Sequence, residues 1–185
     1  MQEWSDVNFV SSNKHKYLEA KQILSNFGIK LGFFQAKLLE IQSNSLSEIA
    51  KQKALDAFSK CKRPIIIEDD ALVIPALGGF PGPYSSYVFD TIGNKGIMEL
   101  VKKNRTAKFY ATISYCDRKK KPILFEGITP GKIATKISGK GWGYDPIFVP
   151  QGKTKTYAQI SDKNTLSHRY RALVKFASWF AHKQR

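Results

Sequence analysis

The chain has 185 residues, of which 42% are apolar and 24% are charged, which is typical of a single globular domain and excludes a disordered chain. Its charge is unusual, because 30 lysines and arginines stand against 15 aspartates and glutamates, giving +15 and a pI near 9.8. Such an excess is typical of proteins that bind nucleic acid, an anionic membrane surface or a phosphorylated ligand, and it also occurs where no ligand requires it.

Other classes of protein are excluded by the distribution of apolar residues. No run approaches the roughly 18 apolar residues of a membrane-spanning helix. The first ten residues, MQEWSDVNFV, lack the basic segment and apolar run of a signal peptide, so we expect a cytoplasmic protein without a membrane partner. Cys61 and Cys116 match no metal-binding spacing, and we expect two reduced, partly buried thiols.

Hydrophobic spacing predicts a mixed order of elements. Ser45 is a predicted helix N-cap, Gly28 is expected to end the first helix, and breaks are expected at 119–121 and 130–131. The elements are a strand at 7–12, a helix at 14–27, a strand at 29–36, a helix at 45–60, a strand at 64–72, a loop at 76–86, a helix near 95–103, strands at 107–115 and 122–137, a loop turning into a strand at 139–148, and a helix at 167–183. This order predicts an α/β or α+β fold with a mixed sheet.

A first polar cluster, residues 11–16 (SSNKHK), lies between the first predicted strand and the first predicted helix. The turn from a strand to a helix exposes backbone N–H groups and the positive end of the helix dipole, which favour an anion such as phosphate. The P-loop pattern is absent. A capped helix start with two solvated lysines is the alternative interpretation.

A second cluster, Glu68, Asp69 and Asp70, follows three isoleucines at the end of a predicted buried strand. Adjacent carboxylates repel one another, and Mg²⁺ would relieve that repulsion through one or two of them. Neighbouring side chains of an extended segment point to opposite faces, so only one or two of the three are expected to face a common site. Glu40, near the end of the second strand, is a further candidate ligand. Surface acids paired with lysines are the alternative.

Two more clusters lie towards the end of the chain. Residues 141–146 (GWGYDP) place aromatic rings between glycines and before an acid, which suits the stacking of a planar base and the acceptance of a ring N–H. A tight turn with packed aromatics explains them equally well. Ser167 is a good cap for the last helix, but capping does not explain His168 and Arg169, which follow it, or Lys163 and Asn164, which precede it.

Taken in order, these motifs resemble those of the inosine triphosphate pyrophosphatases, in an archaeal-like form. The resemblance extends from about Phe9 to Phe180 and rests on four motifs: residues 11–16 followed by Glu19, residues 68–85, residues 141–148 and residues 163–172. It implies one domain over 1–185, with a long mixed β-sheet that splits into two lobes with flanking helices and a central cleft. It also implies a homodimer that takes a small-molecule nucleotide.

The resemblance further implies hydrolysis of non-standard purine nucleoside triphosphates (ITP, dITP, XTP) to the monophosphate and pyrophosphate. The cofactor expected is Mg²⁺, with Mn²⁺ as a substitute, held by Glu40 and Asp69. Asp69, helped by Glu68, is expected to activate water. The substrate-binding residues implied are, for the phosphates, Ser11, Ser12, Asn13, Lys14, His15, Lys16 and Lys53, with Asp70 nearby, and, for the base and its 6-oxo group, Trp142, Gly143, Tyr144, Asp145, Lys163, His168 and Arg169.

The chain departs from the pattern of that family at four places. Ser12 stands where the family has glycine, which implies a less tight loop or a different backbone angle at this position. Asp70 and Ala71 replace a common Ser-Gly or Thr, which adds a carboxylate. Ser86 falls where some members carry a basic residue, and the segment 157–163 is about two residues short. None of these departures removes a residue that the chemistry requires.

Two alternative functions stay open on the sequence alone. A nucleic-acid binder is suggested by the net charge and by lysines at 102–103, 119–121, 153 and 155, but these are scattered and no nucleic-acid-binding signature accompanies them. We therefore expect no nucleic-acid partner. A related pyrophosphatase for pyrimidine or modified nucleotides is the second alternative, and the motifs at 141–145 and 167–169 argue against it.

Overall fold

The computed structural model describes residues 5–183. Within that range lie six strands: β1 (Val7–Ser11), β2 (Leu31–Gln35), β3 (Ile65–Val73), β4 (Thr106–Cys116), β5 (Ile123–Ile133) and β6 (Phe148–Pro150). The α-helices of the same range are α1 (Lys14–Ser25), α2 (Leu46–Cys61), α3 (Ser85–Thr91), α4 (Gly93–Leu100) and α5 (His168–Lys183), and short 3-10 turns lie between several elements. None of these helices has the length and apolar character needed to cross a membrane.

The strands form one mixed sheet in the order β2-β1-β3-β4-β5-β6. β1 pairs in parallel with β2 and with β3, whereas β6 runs antiparallel to β5. Parallel strands need long crossover connections, and α1 and α2 provide them. The predicted α/β fold with a mixed sheet is confirmed.

Most predicted boundaries agree with the structure to within a few residues. Asn26 caps the end of α1, and Gly28 follows with a positive φ of 70°. Ser45 caps α2 as predicted, because its hydroxyl accepts a hydrogen bond from the backbone N–H of Glu48. The predicted break at 119–121 is a turn, in which Lys120 adopts a left-handed φ of 51°.

Two predictions of local structure are wrong. The segment 76–86 is not all loop, because 3-10 turns form at Pro75–Leu77 and Gly82–Tyr84 and α3 begins at Ser85. The strand β5 does not break at 130–131 but continues to Ile133. Gly131 pairs there with Pro150, and a Cβ on it would lie 2.4 Å from the carbonyl oxygen of Val149. Gly131 therefore allows β6 to approach β5 closely. The sequence suggests a turn at this position, because glycine is more often found in turns than inside strands.

The chain divides into two compact units. Within the described residues, the first unit comprises residues 5–69, 111–127 and 169–183, and the second comprises residues 70–110 and 128–168. Each unit has its own apolar core. The expected arrangement of one domain with two lobes and a cleft stays a prediction.

The core of the first unit packs α5 and α1 against the sheet. Leu173, Phe176, Ala177 and Phe180 of α5 are at most 4% exposed, which confirms the amphipathic face predicted for the last helix. A smaller cluster packs the alanines of α2 against β3. The core of the second unit is aromatic, with Phe109, Phe148 and Tyr157 in mutual contact.

Both cysteines are free thiols, as predicted. Cys116 is buried and Cys61 is half-buried. Burial raises the pKa of both thiols above its ordinary value, which keeps them protonated at neutral pH.

Candidate active site

The polar cluster at 11–16 lies where β1 gives way to α1, as the sequence predicts. Asn13 is the N-cap, and its side-chain oxygen accepts hydrogen bonds from the backbone N–H groups of His15 (3.0 Å) and Lys16 (3.4 Å). The backbone N–H of Asn13 donates in turn to the Ser11 hydroxyl at 3.0 Å. Ser11 and Asn13 therefore shape the turn at the start of α1, next to the positive end of its dipole.

A buried network of ion pairs surrounds Arg169, the second residue of α5. Its Nε and Nη2 donate to the two carboxylate oxygens of Glu68, at 2.7 and 2.6 Å, and its Nη1 donates to Glu19. The side chains of Arg169 and Glu68 are both fully buried. Lys16 adds a longer contact of 3.8 Å to Glu68. Such a two-pronged pair holds both side chains in one orientation, because its two hydrogen bonds are parallel.

Lys53, on α2, joins two carboxylates of the first unit. Its Nζ lies 2.6 Å from Oε1 of Glu40 and 3.0 Å from Oδ1 of Asp69. The Asp69 side chain is 15% exposed, whereas that of Glu40 is 68% exposed. The second oxygen of Asp69, Oδ2, is buried and has no hydrogen-bond partner among the described residues. The charge of Asp69 is thus compensated on one side only.

These carboxylates fit the metal that the sequence predicts. Among residues 5–183, no group of three or more His, Cys, Asp or Glu side chains is placed to hold a metal ion. Mg²⁺ does not need such a group, since it commonly takes one or two carboxylates together with water and substrate phosphates. Glu40 and Asp69 share one cation, the Lys53 ammonium, and the buried Oδ2 of Asp69 has no hydrogen-bond partner among the described residues. Their role as metal ligands stays a prediction.

In the second unit, Asp145 and Lys163 form an ion pair beside aromatic rings. The Lys163 Nζ lies 2.7 Å from Oδ2 of Asp145, and both side chains are about nine-tenths buried. The same ammonium lies 5.3 Å from the centre of the Trp142 ring and 5.8 Å from that of Tyr157. The faces of these rings stabilise the cation in addition to the carboxylate. A carboxylate acceptor and an indole face are thereby held next to each other.

Tyr144 anchors the loop that carries Trp142. Its hydroxyl donates to the backbone oxygen of Ser85 at 2.9 Å, and its ring meets Phe89 edge-on at 5.3 Å. Burial raises the pKa of the Tyr144 hydroxyl well above its ordinary value, and the charges of Asp90 and Asp70 raise it further. The phenol therefore stays protonated and remains a donor at neutral pH. Its predicted contact with a base stays a prediction.

His168, the first residue of α5, packs on an aromatic ring of the second unit. Its ring lies parallel to that of Phe109, with 4.4 Å between centroids and 7° between planes. The residue is buried, as is Ser167 before it. The stacking orients the imidazole, and the role of His168 at the base stays a prediction.

A comparison with known families agrees with these motifs. The profile of the Ham1 family matches residues 7–179, nearly the whole chain. This chain belongs to the Ham1 family. It is 45% identical over 179 residues to a dITP/XTP pyrophosphatase of Methanopyrus kandleri, covering 94% of this chain and 95% of that protein. It is 41% identical over 180 residues to a dITP/XTP pyrophosphatase of Saccharolobus solfataricus, covering 94% and 92%.

Solved structures of Ham1 proteins show the same fold. A HAM1 protein from Coxiella burnetii superposes with a TM-score of 0.81 at 25% identity, covering 95% of this chain and 99% of that one. The Ham1 protein of Staphylococcus aureus gives a TM-score of 0.71 at 25% identity, with the same coverage. The predicted family and fold are confirmed.

The serine that replaces a glycine in this Ham1-family chain causes no backbone strain. Among the described non-glycine residues, only Lys62 and Lys120 have a positive φ. Ser12 therefore adopts an ordinary backbone conformation and is exposed. The loop before α1 does not need glycine at this position.

Asn94, which lies outside the four sequence motifs, contacts the loop that carries Trp142. Asn94, on α4, donates from Nδ2 to the backbone oxygen of Gly143 at 3.1 Å. Its Oδ1 is buried and has no hydrogen-bond partner among the described residues. Gly143 itself adopts a positive φ of 59°, which glycine tolerates well. No local pattern marks Asn94, because its partner lies 49 residues away along the chain.

Glu19, which follows the first motif, is a further partner in the network around Arg169. The structure shows it as the second carboxylate partner of Arg169, from which it is separated by 150 residues. Glu19 lies one turn after Lys16 on α1, and residues at this separation share a helix face. This spacing is the feature of the sequence that marks Glu19 as a candidate site residue.

Proposed function

We propose that this chain hydrolyses non-standard purine nucleoside triphosphates, such as ITP, dITP and XTP, to the monophosphate and pyrophosphate. The observation that carries the proposal is the match over 94% of the chain to proteins named dITP/XTP pyrophosphatase, at up to 45% identity. The side chains that such a reaction needs are present at the matching motifs. The first unit holds the carboxylates of Glu40, Glu68 and Asp69 together with Lys16 and Lys53. The second holds Trp142 and the ion pair of Asp145 and Lys163.

The reaction consumes one water and cleaves one bond. A water oxygen bonds to the α-phosphorus, the bond from that phosphorus to the bridging oxygen breaks, and the bridging oxygen leaves with pyrophosphate. A proton of the water must pass to a base. Asp69 is suited to accept it, because its Oδ2 carries no other hydrogen bond among the described residues.

Glu68 suits a different role. Both of its oxygens accept hydrogen bonds from Arg169, and its side chain is fully buried. An arginine paired in this way holds the carboxylate in its charged form. We therefore assign Glu68 to the positioning of Arg169 and leave the transfer of the proton to Asp69.

We propose Mg²⁺ as the cofactor, held by Glu40 and Asp69. When bound, it would neutralise charge that develops on the phosphate oxygens. Lys16 and Lys53, both of the first unit, are suited to bind the same phosphates, because each ammonium is a compact positive charge. The turn at Asn13 adds the positive end of the dipole of α1.

Selection of the base is assigned to the second unit. The Asp145 carboxylate is suited to accept a ring N–H, and Trp142 to stack on the ring. A 6-oxo group accepts hydrogen bonds, whereas adenine carries an amino donor in its place. A buried donor would be left unpaired by adenine, and such mismatches can reject a substrate by about 10⁴-fold or more.

A substrate panel tests this function. ITP, XTP, dITP, ATP, GTP, CTP and UTP would each be incubated with the protein and Mg²⁺, and both pyrophosphate and orthophosphate would be measured. We expect pyrophosphate from the first three only, with loss of activity when the metal is chelated. Orthophosphate as the product, or a preference for CTP or UTP, would contradict the proposal. Duplex binding at physiological salt without turnover of ITP would favour a nucleic-acid binder.

We also propose that the protein acts in the cytoplasm as a homodimer. A cytoplasmic place would give it the nucleotide pool on which its proposed activity depends. The second unit carries exposed aromatic side chains near α3, including Tyr87 at 70% and Tyr84 at 45% exposure, which a partner could cover. Sedimentation equilibrium on the purified chain would measure the oligomeric state, and a monomer at all concentrations would contradict the proposal.

A further inference from the structure

The buried Lys53 ammonium contacts the same two carboxylates that the proposed function assigns to the metal. Lys53 is 8% exposed, and its Nζ lies within 3.0 Å of an oxygen of both Glu40 and Asp69. A single positive charge thus lies against two negative ones. A divalent cation bound by the same oxygens would meet the repulsion of that ammonium at close range.

The two contacts of Lys53 differ in strength. The Glu40 side chain is largely exposed, so water and salt screen its attraction. The Asp69 side chain is mostly buried, and its charge needs a partner more. Lys53 contacts only one of the two oxygens of Asp69, since Oδ2 is buried without a hydrogen bond among the described residues. The pairing of Asp69 with Lys53 is therefore incomplete.

We infer that, in the metal-free protein, the Lys53 ammonium occupies the position of the divalent cation between Glu40 and Asp69. It must leave at least one carboxylate when the metal binds. The triphosphate offers the ammonium a new anionic partner, so metal and nucleotide bind more tightly together than either does alone. The inference rests on one part of the proposed function, the assignment of these two carboxylates to the metal, and not on the substrate.

Competition with the metal and a purely structural role of Lys53 predict opposite changes in metal affinity when Lys53 is removed. If Lys53 only stabilised the fold, its removal would weaken every property that depends on the site, including metal affinity. If it competes with the metal, its removal strengthens metal binding in the absence of nucleotide. Because the coupling is reciprocal, the ammonium weakens the binding of the metal to the two carboxylates as much as the metal weakens that of the ammonium.

The test measures the binding of Mn²⁺, without nucleotide, to the full chain by electron paramagnetic resonance of the free ion. Lys53→Met keeps the length of the side chain and removes its charge, and we expect Mn²⁺ to bind about tenfold more tightly than to the wild type. Lys53→Arg keeps the charge and should show no gain.

The control is Lys153→Met in the second unit. The Lys153 Nζ lies 3.8 Å from Oδ2 of Asp162, so this variant also loses one positive charge and one ion pair. It should bind Mn²⁺ as the wild type does. A gain equal to that of Lys53→Met would show that the overall charge, and not the site, controls affinity, and would overturn the inference.

A thermal measurement gives a second readout that does not depend on activity. Without metal, Lys53→Met should melt below the wild type, because Asp69 loses its partner. Added Mg²⁺ should then raise the melting temperature of Lys53→Met by more than it raises that of the wild type, since stabilisation by a ligand grows with the logarithm of its affinity for the folded state. Should this variant not fold, Lys53→Gln provides the same comparison.

Two further results would overturn the inference. One is a folded Lys53→Met that binds Mn²⁺ no more tightly than the wild type. The other is a gain in affinity that survives the addition of Asp69→Asn, because the ion would then bind elsewhere. Failure of the proposed function is separate, since it would appear as a wild type that releases no pyrophosphate from ITP. A chain of that kind with tighter Mn²⁺ binding in Lys53→Met would still support the inference.

Discussion

The two units hold their proposed functional side chains by different means. In the first, charged groups are paired with one another: Arg169 with two glutamates, and Lys53 with Glu40 and Asp69. In the second, one ion pair, between Lys163 and Asp145, lies against the rings of Trp142 and Tyr157, and the loop that carries it is anchored by Tyr144.

This difference affects how each group could bind a ligand. A cation that is already paired must exchange partners when a phosphate arrives, so binding is coupled to rearrangement of charge. A loop that is anchored by hydrogen bonds and ring packing is preformed, and it loses less entropy on binding. We expect substitutions in the first unit to act mainly on turnover and metal binding, and those in the second mainly on substrate affinity and discrimination.

The largest effect is expected for Asp69→Asn. This change keeps the size of the side chain but removes the proposed base and metal ligand, and kcat for ITP should fall by about 10³-fold or more. The control is Asp162→Asn, which should keep wild-type turnover. Asp162 is exposed, and its Oδ2 lies 3.8 Å from the Lys153 Nζ, so this variant also removes one carboxylate that faces an ammonium. Retained turnover in Asp69→Asn would move the role to Asp70 or Glu68.

Next in size is the loss of stability on neutralising the buried carboxylates. Glu68→Gln leaves the fully buried Arg169 with less compensation, and the free energy of unfolding should fall by about 3 kcal/mol. Asp145→Asn should cost less, about 1–2 kcal/mol, because aromatic rings also stabilise Lys163. Urea unfolding of both variants measures the two costs. An equal or larger loss for Asp145→Asn would break the contrast between paired and ring-supported charges.

A smaller effect is expected for Asn94→Ala, which removes the hydrogen bond to Gly143. The loop that carries Trp142 would lose one anchor, and KM for ITP should rise by about fivefold with kcat nearly unchanged, which corresponds to about 1 kcal/mol. Release of pyrophosphate from GTP, which we do not expect of the wild type, should become detectable as well, a change that a merely structural role would not produce.

Two variants frame this prediction. Asn94→Asp keeps the size but turns an oxygen towards the Gly143 carbonyl, so it should act in the same direction. Lys95→Ala, at the next and exposed position of α4, should match the wild type. If Asn94→Ala lowers kcat and leaves KM unchanged, Asn94 does not position the base loop.

The smallest effect concerns the excess of lysines. Raising the salt from about 50 to about 300 mM should lower kcat/KM for ITP by only about two- to threefold. The lysines proposed to bind the phosphates already form ion pairs at short range, and added salt screens such pairs less than it screens distant surface charges. Neutralising the exposed Lys102 and Lys103 to glutamine should change kcat/KM by less than about twofold. A strong dependence of kcat/KM on the salt concentration or on Lys102 and Lys103 would show that the surface charge contributes to the reaction, which the proposed mechanism does not require.

Much of the fold could be predicted from local patterns. The start of α2 at Ser45, the buried face of α5 and the strand before Glu68 follow from a capping residue, a helical period and a β-branched run. The continuation of β5 through Pro130 and Gly131 could not, because both residues usually mark turns. There the pairing with β6 outweighs the local preference.

The sequence by itself determined the family, the mixed fold and the four motifs, since each of these depends on residue type and spacing along the chain. Only the tertiary structure decided the partners: Glu68 and Glu19 for Arg169, Asp69 and Glu40 for Lys53, and Gly143 for Asn94. Such contacts join residues up to 150 positions apart, and a charge or an amide pairs with whatever the folded chain brings within reach. The net charge of +15, the most unusual feature of the composition, explains none of these pairings. The proposed chemistry of the first unit depends instead on the few carboxylates that form ion pairs with Lys53 and Arg169.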